Sequence, residues 1–178
     1  MGTTATAAAA GAIALGKNAV ASGAPSATLF SYAQNWTGTN IRSSQVIVNG
    51  ATIALGTNSL ASGTTAAVAI ASNATATGET SIAIGGASYA SGRTGVAIGA
   101  GSLAAGDSAL ALGNTSWADG DQSVAMGAGS YGQAATTVAI GKSAFAMGTG
   151  TIAMGSFAVV GSNTATNNSN VSIGVKAG

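Results

Sequence analysis

The sequence lacks two residue types that carry much of protein chemistry, since none of its 178 residues is cysteine or histidine. Without cysteine there are no disulfides and no thiolate nucleophile. Without histidine there is no imidazole base, and a common ligand of transition metals is missing. These absences argue against an enzyme, and we expect no catalytic residue, no metal site and no cofactor.

Charge is scarce as well, because charged residues make up 5% of the chain and the formal net charge is +1. Soluble proteins typically carry about 25% charged residues. So little positive charge offers no field for nucleic acid or for an anionic membrane surface. No apolar run approaches the roughly 20 residues of a membrane helix. We therefore expect neither nucleic acid nor membrane as a partner of this segment.

Aromatic residues are 4% of the chain and there is one proline, whereas glycine reaches 28 residues. Many small side chains suit a thin, stacked structure better than a globule. The first ten residues lack the basic start and apolar core of a secretion signal. We therefore expect the chain to be a piece of a longer protein.

A tetrapeptide of the form large apolar, Ala, large apolar, Gly recurs along the chain, and from Ile82 to Ile152 its spacing is 14 residues in every step. A second Gly usually follows ten residues after each repeat begins, and a small–bulky–small segment lies between the two glycines. Both segments alternate with period two, so they read as strands. Glycine at fixed corners supplies positive φ or close approach. The predicted turn glycines are Gly85, Gly92, Gly99, Gly106, Gly113, Gly120, Gly127, Gly141 and Gly148.

These repeats predict an all-β fold, a parallel β-solenoid whose coils stack about 4.8 Å apart. We expect a single domain over residues 1–178. Within it, residues 24–51 form an excursion, residues 52–161 form regular coils, and residues 162–178 form an extended loop and a final coil.

The large apolar residues of the first strand share one face, and the small Ala lies on the other. A thin roll filled by Ala and Ser would leave the large residues outward, where they would need burial against identical chains. The inverse arrangement, with the large residues inside, is also open. The predicted trimer or core packing residues are Ile82, Ile84, Val96, Ile98, Leu110, Leu112, Val124, Met126, Val138 and Ile140.

Two regions are candidates for ligand contact. The excursion holds Phe30, Tyr32, Trp36 and Arg42, and it either binds a ligand or caps the end of the solenoid. The bulky position of the second strand forms a column that holds Tyr89, Trp117 and Tyr131. That column is either a surface for protein partners or packing against a neighbouring chain.

Four charged residues, Glu79, Arg93, Asp107 and Asp121, follow the second Gly of successive repeats. Stacking would place them in one exposed column with Arg93 between acids. A solvated turn is the ordinary interpretation of such a column, and a cation site is the alternative.

The pentapeptides at 81–85 (SIAIG) and 123–127 (SVAMG), together with the A-x-G of the second strand, resemble the head repeats of YadA-like trimeric autotransporter adhesins. The resemblance covers nearly the whole chain except about residues 24–50. It implies a left-handed parallel β-roll, assembled as a homotrimer and exposed from the outer membrane at the bacterial cell surface. It also implies adhesion and virulence, with host matrix proteins (collagen, fibronectin, laminin), cells or abiotic surfaces as partners.

Other functions fit less well. Acyltransferase β-helices have longer coils and a catalytic histidine, Ca²⁺-binding repeats need an Asp in each Gly-rich turn, and an ice-binding face needs a regular array of small hydroxyl residues. The serious alternative to an adhesin is a structural spacer that holds another binding module away from the cell.

Overall fold

The computed structural model describes residues 4–8, 13–15, 17–22, 52–161 and 169–177. Every regular element within these ranges is a short β-strand. The strands form two parallel sheets of ten strands each. The all-β parallel solenoid predicted from the repeat is therefore confirmed.

One sheet, here called the long-strand sheet, is built from the strands that carry the large apolar, Ala, large apolar tripeptide. Each strand has three residues, and the order in the sheet follows the order in the chain. Its strands are β2 (Ile13–Leu15), β4 (Ile53–Leu55), β6 (Val68–Ile70), β8 (Ile82–Ile84), β10 (Val96–Ile98), β12 (Leu110–Leu112), β14 (Val124–Met126), β16 (Val138–Ile140), β18 (Ile152–Met154) and β20 (Val171–Ile173).

The other sheet, here called the short-strand sheet, is built from the second segment of each repeat. Each of its strands has two residues, a bulky or polar one followed by a small one in most coils. Its strands are β1 (Thr6–Ala7), β3 (Val20–Ala21), β5 (Leu60–Ala61), β7 (Thr75–Ala76), β9 (Tyr89–Ala90), β11 (Leu103–Ala104), β13 (Trp117–Ala118), β15 (Tyr131–Gly132), β17 (Phe145–Ala146) and β19 (Val159–Val160).

Equivalent residues of successive coils lie side by side. Val96 of β10, for example, pairs with Ile82 of β8 on one side and with Leu110 of β12 on the other. The backbone N–H of Ile82 donates to the carbonyl of Gly95 over 2.9 Å. Because the repeat keeps this register, each sequence position becomes a column that runs along the solenoid.

The interior of the roll is filled by alanine. The central Ala of the long strands and the second residue of most short strands point inward, and Ala83, Ala97, Ala90 and Ala104 are fully buried. Small side chains allow the two sheets to approach closely, so the coil is thin. The arrangement with the large residues inside is thereby excluded.

Buried hydroxyls complete this interior. Ser88 Oγ donates to the carbonyl of Gly85 over 2.8 Å, and Ser102 Oγ donates to the carbonyl of Gly99 over 2.9 Å. The same carbonyls also accept the backbone N–H of the same serine, over 3.1 Å at Ser88 and 3.3 Å at Ser102. The serine before a strand therefore stabilises the preceding glycine turn.

The predicted turn glycines all lie in turns or bends. Gly85 has φ +131°, whereas Gly106 has no positive φ but lies against the next coil. A Cβ built on Gly106 would stand 2.1 Å from the carbonyl oxygen of Gly120. The first glycine of a coil thus provides an unusual backbone conformation, and the second allows close approach between coils.

Two departures from the repeat leave the stack in register. The step from Ile53 to Val68 contains one extra residue, and the N–H groups of Thr65 and Ala66 both donate to the carbonyl of Glu79. Strand β2 pairs directly with β4, although residues 16–52 lie between them in the chain. The described strands on the two sides of the excursion therefore keep the register of the stack.

Strand β20 extends the long-strand sheet by pairing with β18. In the described part of the chain, no helix has the length and hydropathy needed to cross a membrane.

Candidate binding faces

The outward side chains of the long-strand sheet form one continuous surface, here called the aliphatic face. Between 52 and 161, every outward position of this sheet holds Val, Ile, Leu or Met. Ile84, Val96 and Ile98 are half-buried in the single chain, and Leu112 is 37% exposed. The packing residues predicted from the sequence thus lie on the outer surface and not inside the coil. Those that are likewise half-buried are Ile82, Leu110, Val124, Met126, Val138 and Ile140.

The short-strand sheet presents a different surface, here called the mixed face. Its first column is the bulky first residue of each short strand, and its second column is the residue that follows the strand. Tyr89 is 41% exposed and Trp117 is 47% exposed, whereas Tyr131 is half-buried. The second column includes Ser91 and Asp119. The mixed face therefore combines aromatic, aliphatic and polar side chains.

Three aromatic side chains of successive coils touch one another on the mixed face. The ring centroids of Trp117 and Tyr131 are 5.9 Å apart with an interplanar angle of 81°. Those of Tyr131 and Phe145 are 4.7 Å apart with an angle of 59°. Edge-to-face and tilted pairs at such distances are attractive beyond the apolar area that they bury. The central ring, Tyr131, is held from both sides.

Asp119 fixes the other end of Tyr131. The Tyr131 hydroxyl donates to Asp119 Oδ2 over 2.7 Å. Burial raises the pKa of Tyr131 to about 12, and the hydrogen bond to Asp119 and the charge of that carboxylate act in the same direction. Asp119 Oδ1 is buried and has no hydrogen-bond partner among the described residues. The Asp119 carboxylate thus holds Tyr131 through one oxygen, while its other oxygen is shielded from solvent.

The charged column predicted from the repeat is confirmed, because Glu79, Arg93, Asp107 and Asp121 are all exposed at successive turns. Asp107 Oδ1 accepts from the backbone N–H of Arg93 and Asp121 Oδ1 from that of Asp107, each over 2.9 Å. The Arg93–Asp107 ion pair is long, at 4.0 Å. Among the described residues no cluster of acidic side chains could hold a metal ion.

The opposite turn column holds an asparagine ladder that the sequence reading missed. Asn18 Nδ2 donates to Asn58 Oδ1 over 3.0 Å, and Asn58 Nδ2 donates to Asn73 Oδ1 over 3.3 Å. All three have φ between 55° and 58°, a conformation that asparagine tolerates better than most residues. Their common place, two residues after the repeated tetrapeptide, was the signal that predicts such a ladder.

Phe30, Tyr32, Trp36 and Arg42 of the excursion lie outside the described residues. The sequence prediction of ligand contact by these side chains therefore stays a prediction. The described candidate residues Tyr89, Trp117 and Tyr131 share one face, as their common position in the repeat indicates.

Comparison with known families finds one matching family model. Its description is YadA head domain repeat (2 copies), and it matches residues 1–19, 76–102, 104–130 and 134–158, together more than half of the chain. A search of curated proteins gives no match. The matched segments contain seven of the ten strands of the long-strand sheet, namely β2, β8, β10, β12, β14, β16 and β18. The chain therefore belongs to the family of YadA head domain repeats, which points to an adhesin-type function at a cell surface.

Proposed function

We propose that this chain is the head of a bacterial surface adhesin that assembles as a homotrimer of left-handed rolls and binds without catalysis. The observation that carries the assembly is the aliphatic face, since its outward positions are aliphatic in every coil between 52 and 161. Soluble monomers rarely expose a contiguous apolar surface larger than a few hundred Å². Covering this face requires a partner of the same length and the same spacing, and a second copy of the chain has both.

Burial of this face would provide most of the assembly's stability. Each fully buried Val, Ile or Leu contributes roughly 1.5–3 kcal/mol relative to exposure, although half-burial in the single chain leaves only part of that gain. The contribution is repeated in each coil. The face itself requires only a partner chain, and the number three comes from the resemblance to YadA-like heads.

The ligands that we propose are host matrix proteins such as collagen, fibronectin and laminin, host cells or abiotic surfaces. The absence of histidine and cysteine from the sequence supports binding without catalysis. Since the aliphatic face is used in assembly, the mixed face, the exposed turns and the excursion of residues 24–51 are the parts available to a ligand.

The first experiment measures the mass of the particle by sedimentation equilibrium and multi-angle light scattering. We expect three chains per particle. A stable soluble monomer would remove the argument from the aliphatic face, and a dimer would overturn the threefold assembly.

The second experiment measures adhesion of the assembled protein to immobilised collagen, fibronectin and laminin and to bare polystyrene. Binding to at least one of them supports the adhesin, and its dependence on the excursion is tested by deleting residues 26–48. Adhesion that persists in a trimeric deletion variant would exclude a binding role for the excursion.

The spacer is the second candidate function. The unbroken register from β8 to β18 favours it, because identical coils extend a structure without creating a distinct pocket. A trimeric particle that adheres to none of these surfaces supports the spacer over the adhesin.

A further inference from the structure

The mixed face differs from the aliphatic face because it combines exposed aromatic rings with half-buried hydrogen-bonding residues. Tyr89 and Trp117 are the most exposed aromatic side chains of the bulky column, and Leu103 lies between them. Adjacent coils lie about 4.8 Å apart, so the two rings are separated by about 9.6 Å along the solenoid. The face thus presents two exposed aromatic rings in one line along the solenoid.

The ring of Trp117 is held in place before any ligand binds. Trp117 packs edge-to-face on Tyr131, which in turn packs on Phe145 and donates its hydroxyl to Asp119. A side chain that is already fixed loses little conformational entropy on binding, and affinity gains accordingly. Rigid aromatic side chains with a polar neighbour are the usual anchors of recognition surfaces.

The charged residues of the mixed face limit the class of ligand that it can bind. From β9 to β17, Asp119 is the one charged residue in the two columns of the mixed face. A nucleic acid or another polyanion would need rows of Lys or Arg, and none is present in these columns. A strongly basic partner would need more than one carboxylate. The occupant that fits is uncharged.

The occupant must also offer flat apolar surfaces to the rings and hydroxyl donors to the polar column. The polar column offers hydrogen-bonding groups at the half-buried residues Ser91 and Asp119. A sugar ring has an apolar C–H face that stacks on an aromatic ring, and it has hydroxyl groups around its edge. A polysaccharide repeats both features along a line, as the coils do.

We propose that the mixed face, centred on Tyr89 and Trp117, binds an uncharged polysaccharide that runs along the solenoid axis. This inference rests on the proposed function in one respect, because it assumes that partner chains cover the aliphatic face and leave the mixed face open. A protein ligand on the same face is the rival occupant, and the experiment below distinguishes the two.

Soluble polysaccharides serve as probes. Affinity electrophoresis of the native assembly is run in gels that contain hydroxyethyl cellulose, laminarin or galactomannan, with dextran sulfate as the charged comparison. Trp36 and Trp117 are the two tryptophans of the sequence, so a Trp36→Phe background leaves Trp117 as the reporter of intrinsic fluorescence. We expect retardation by at least one neutral polymer, none by dextran sulfate, and a fluorescence change with the same polymer.

The substitutions are chosen to keep the fold. Leucine already occupies the bulky column at Leu60 and Leu103, so Trp117→Leu and Tyr89→Leu remove a ring and retain an apolar side chain. Each is expected to weaken binding by about tenfold, which corresponds to the loss of one ring contact. Phe157→Leu is the matched control, because Phe157 is 45% exposed but lies in a turn, outside the two columns of the mixed face. Its binding should equal that of the unsubstituted protein.

The particle mass of each variant is also measured by light scattering. The results therefore distinguish a failure of this inference from a failure of the proposed function. A trimer that no neutral polymer retards overturns the polysaccharide proposal and leaves the adhesin untouched. Equal binding by the Trp117→Leu, Tyr89→Leu and Phe157→Leu variants also overturns it. The proposal is also overturned if the assembly binds a purified matrix protein, loses that binding in the Trp117→Leu variant, and binds none of the neutral polymers. If the unsubstituted protein is a monomer, the proposed trimeric assembly is contradicted instead.

Discussion

The aliphatic face and the mixed face are built by the same coils around the same alanine interior, yet they differ in regularity. The outward columns of the long-strand sheet hold Val, Ile, Leu or Met throughout 52–161, whereas the bulky column of the short-strand sheet changes from Thr75 to Tyr89, Leu103 and Trp117. A contact with an identical, parallel partner repeats from coil to coil and favours a uniform column. A ligand touches a few coils and permits a varied one.

This difference is possible because period-two alternation separates inward from outward positions in each strand. Inward residues decide whether coils stack, and outward residues decide what each face contacts. The comparison makes four predictions, which test first the close contact between coils, then the two faces, and last the charged turn.

The largest effect is expected from a methyl group added where coils touch. Gly106→Ala places Cβ 2.1 Å from the Gly120 carbonyl oxygen, and backbone cannot move aside as a side chain can. We expect a loss of about 3 kcal/mol or more in the free energy of unfolding, measured by denaturant titration. Gly86→Ala is the matched control, because its Cβ would be 3.9 Å from the nearest atom, Ser72 O. Equal losses in both variants would contradict the close-approach role.

The second effect compares the faces within one coil. Ile98→Asp puts a carboxylate on the aliphatic face, and Leu103→Asp puts one on the mixed face. A charge buried without a partner costs about 3–5 kcal/mol, so Ile98→Asp should dissociate the assembly. Leu103→Asp should leave the mass at three chains. Sedimentation equilibrium measures both, and dissociation by Leu103→Asp alone would reverse the assignment of the two faces.

A third, smaller effect tests how firmly Tyr131 is held between Trp117 and Phe145 on the mixed face. The pKa of Tyr131 is raised to about 12, above the ordinary value of about 10. The folded chain therefore keeps a proton that the unfolded chain releases between these values. The stabilisation is full below about pH 10 and is lost as pH rises through about 12.

Unfolding at several pH values in that window should show a steeper decline for the native protein than for Tyr131→Phe. Ultraviolet titration of phenolate should lose its latest step in the same variant. Parallel pH profiles would show that Tyr131 is not held as described.

The smallest effect is expected at the turn between the faces. The Arg93–Asp107 pair is 4.0 Å long, and its side chains are 68% and 58% exposed. Arg93→Gln should change the free energy of unfolding by less than about 0.5 kcal/mol. Asp107→Ala should cost more, because it also removes the acceptor of the Arg93 backbone N–H. The reverse order would mean that the charge contributes more than the hydrogen bond.

Much of this structure could be predicted from the sequence because one period controls it. The 14-residue step placed strands, turn glycines and the charged column of Glu79, Arg93, Asp107 and Asp121 in the right order. The direction of the large side chains stayed open, because alternation defines two faces but not which of them lies inside. The alanine interior decides this, since the coil is too thin for Val96 or Ile98 to point inward.

The finer features of the mixed face were beyond sequence reasoning. The hydrogen bond between Tyr131 and Asp119 joins residues 12 positions apart, from different columns, and it depends on side-chain rotamers. The asparagine ladder, by contrast, left a visible signal in Asn58 and Asn73. The excursion has no repeat to align, so periodicity says nothing about how its residues fold.

Hydrogen bonding between neighbouring coils has a consequence for how such a chain changes its length. Strand β10 is hydrogen-bonded to β8 and β12 and to no other strand of its sheet, and the same holds along the stack. An in-frame duplication or deletion of one repeat therefore leaves all other coils with partners of the same shape. It lengthens or shortens the solenoid by a single inter-strand spacing of about 4.8 Å. The reach of the protein is thus a genetically adjustable quantity, independent of what either face binds.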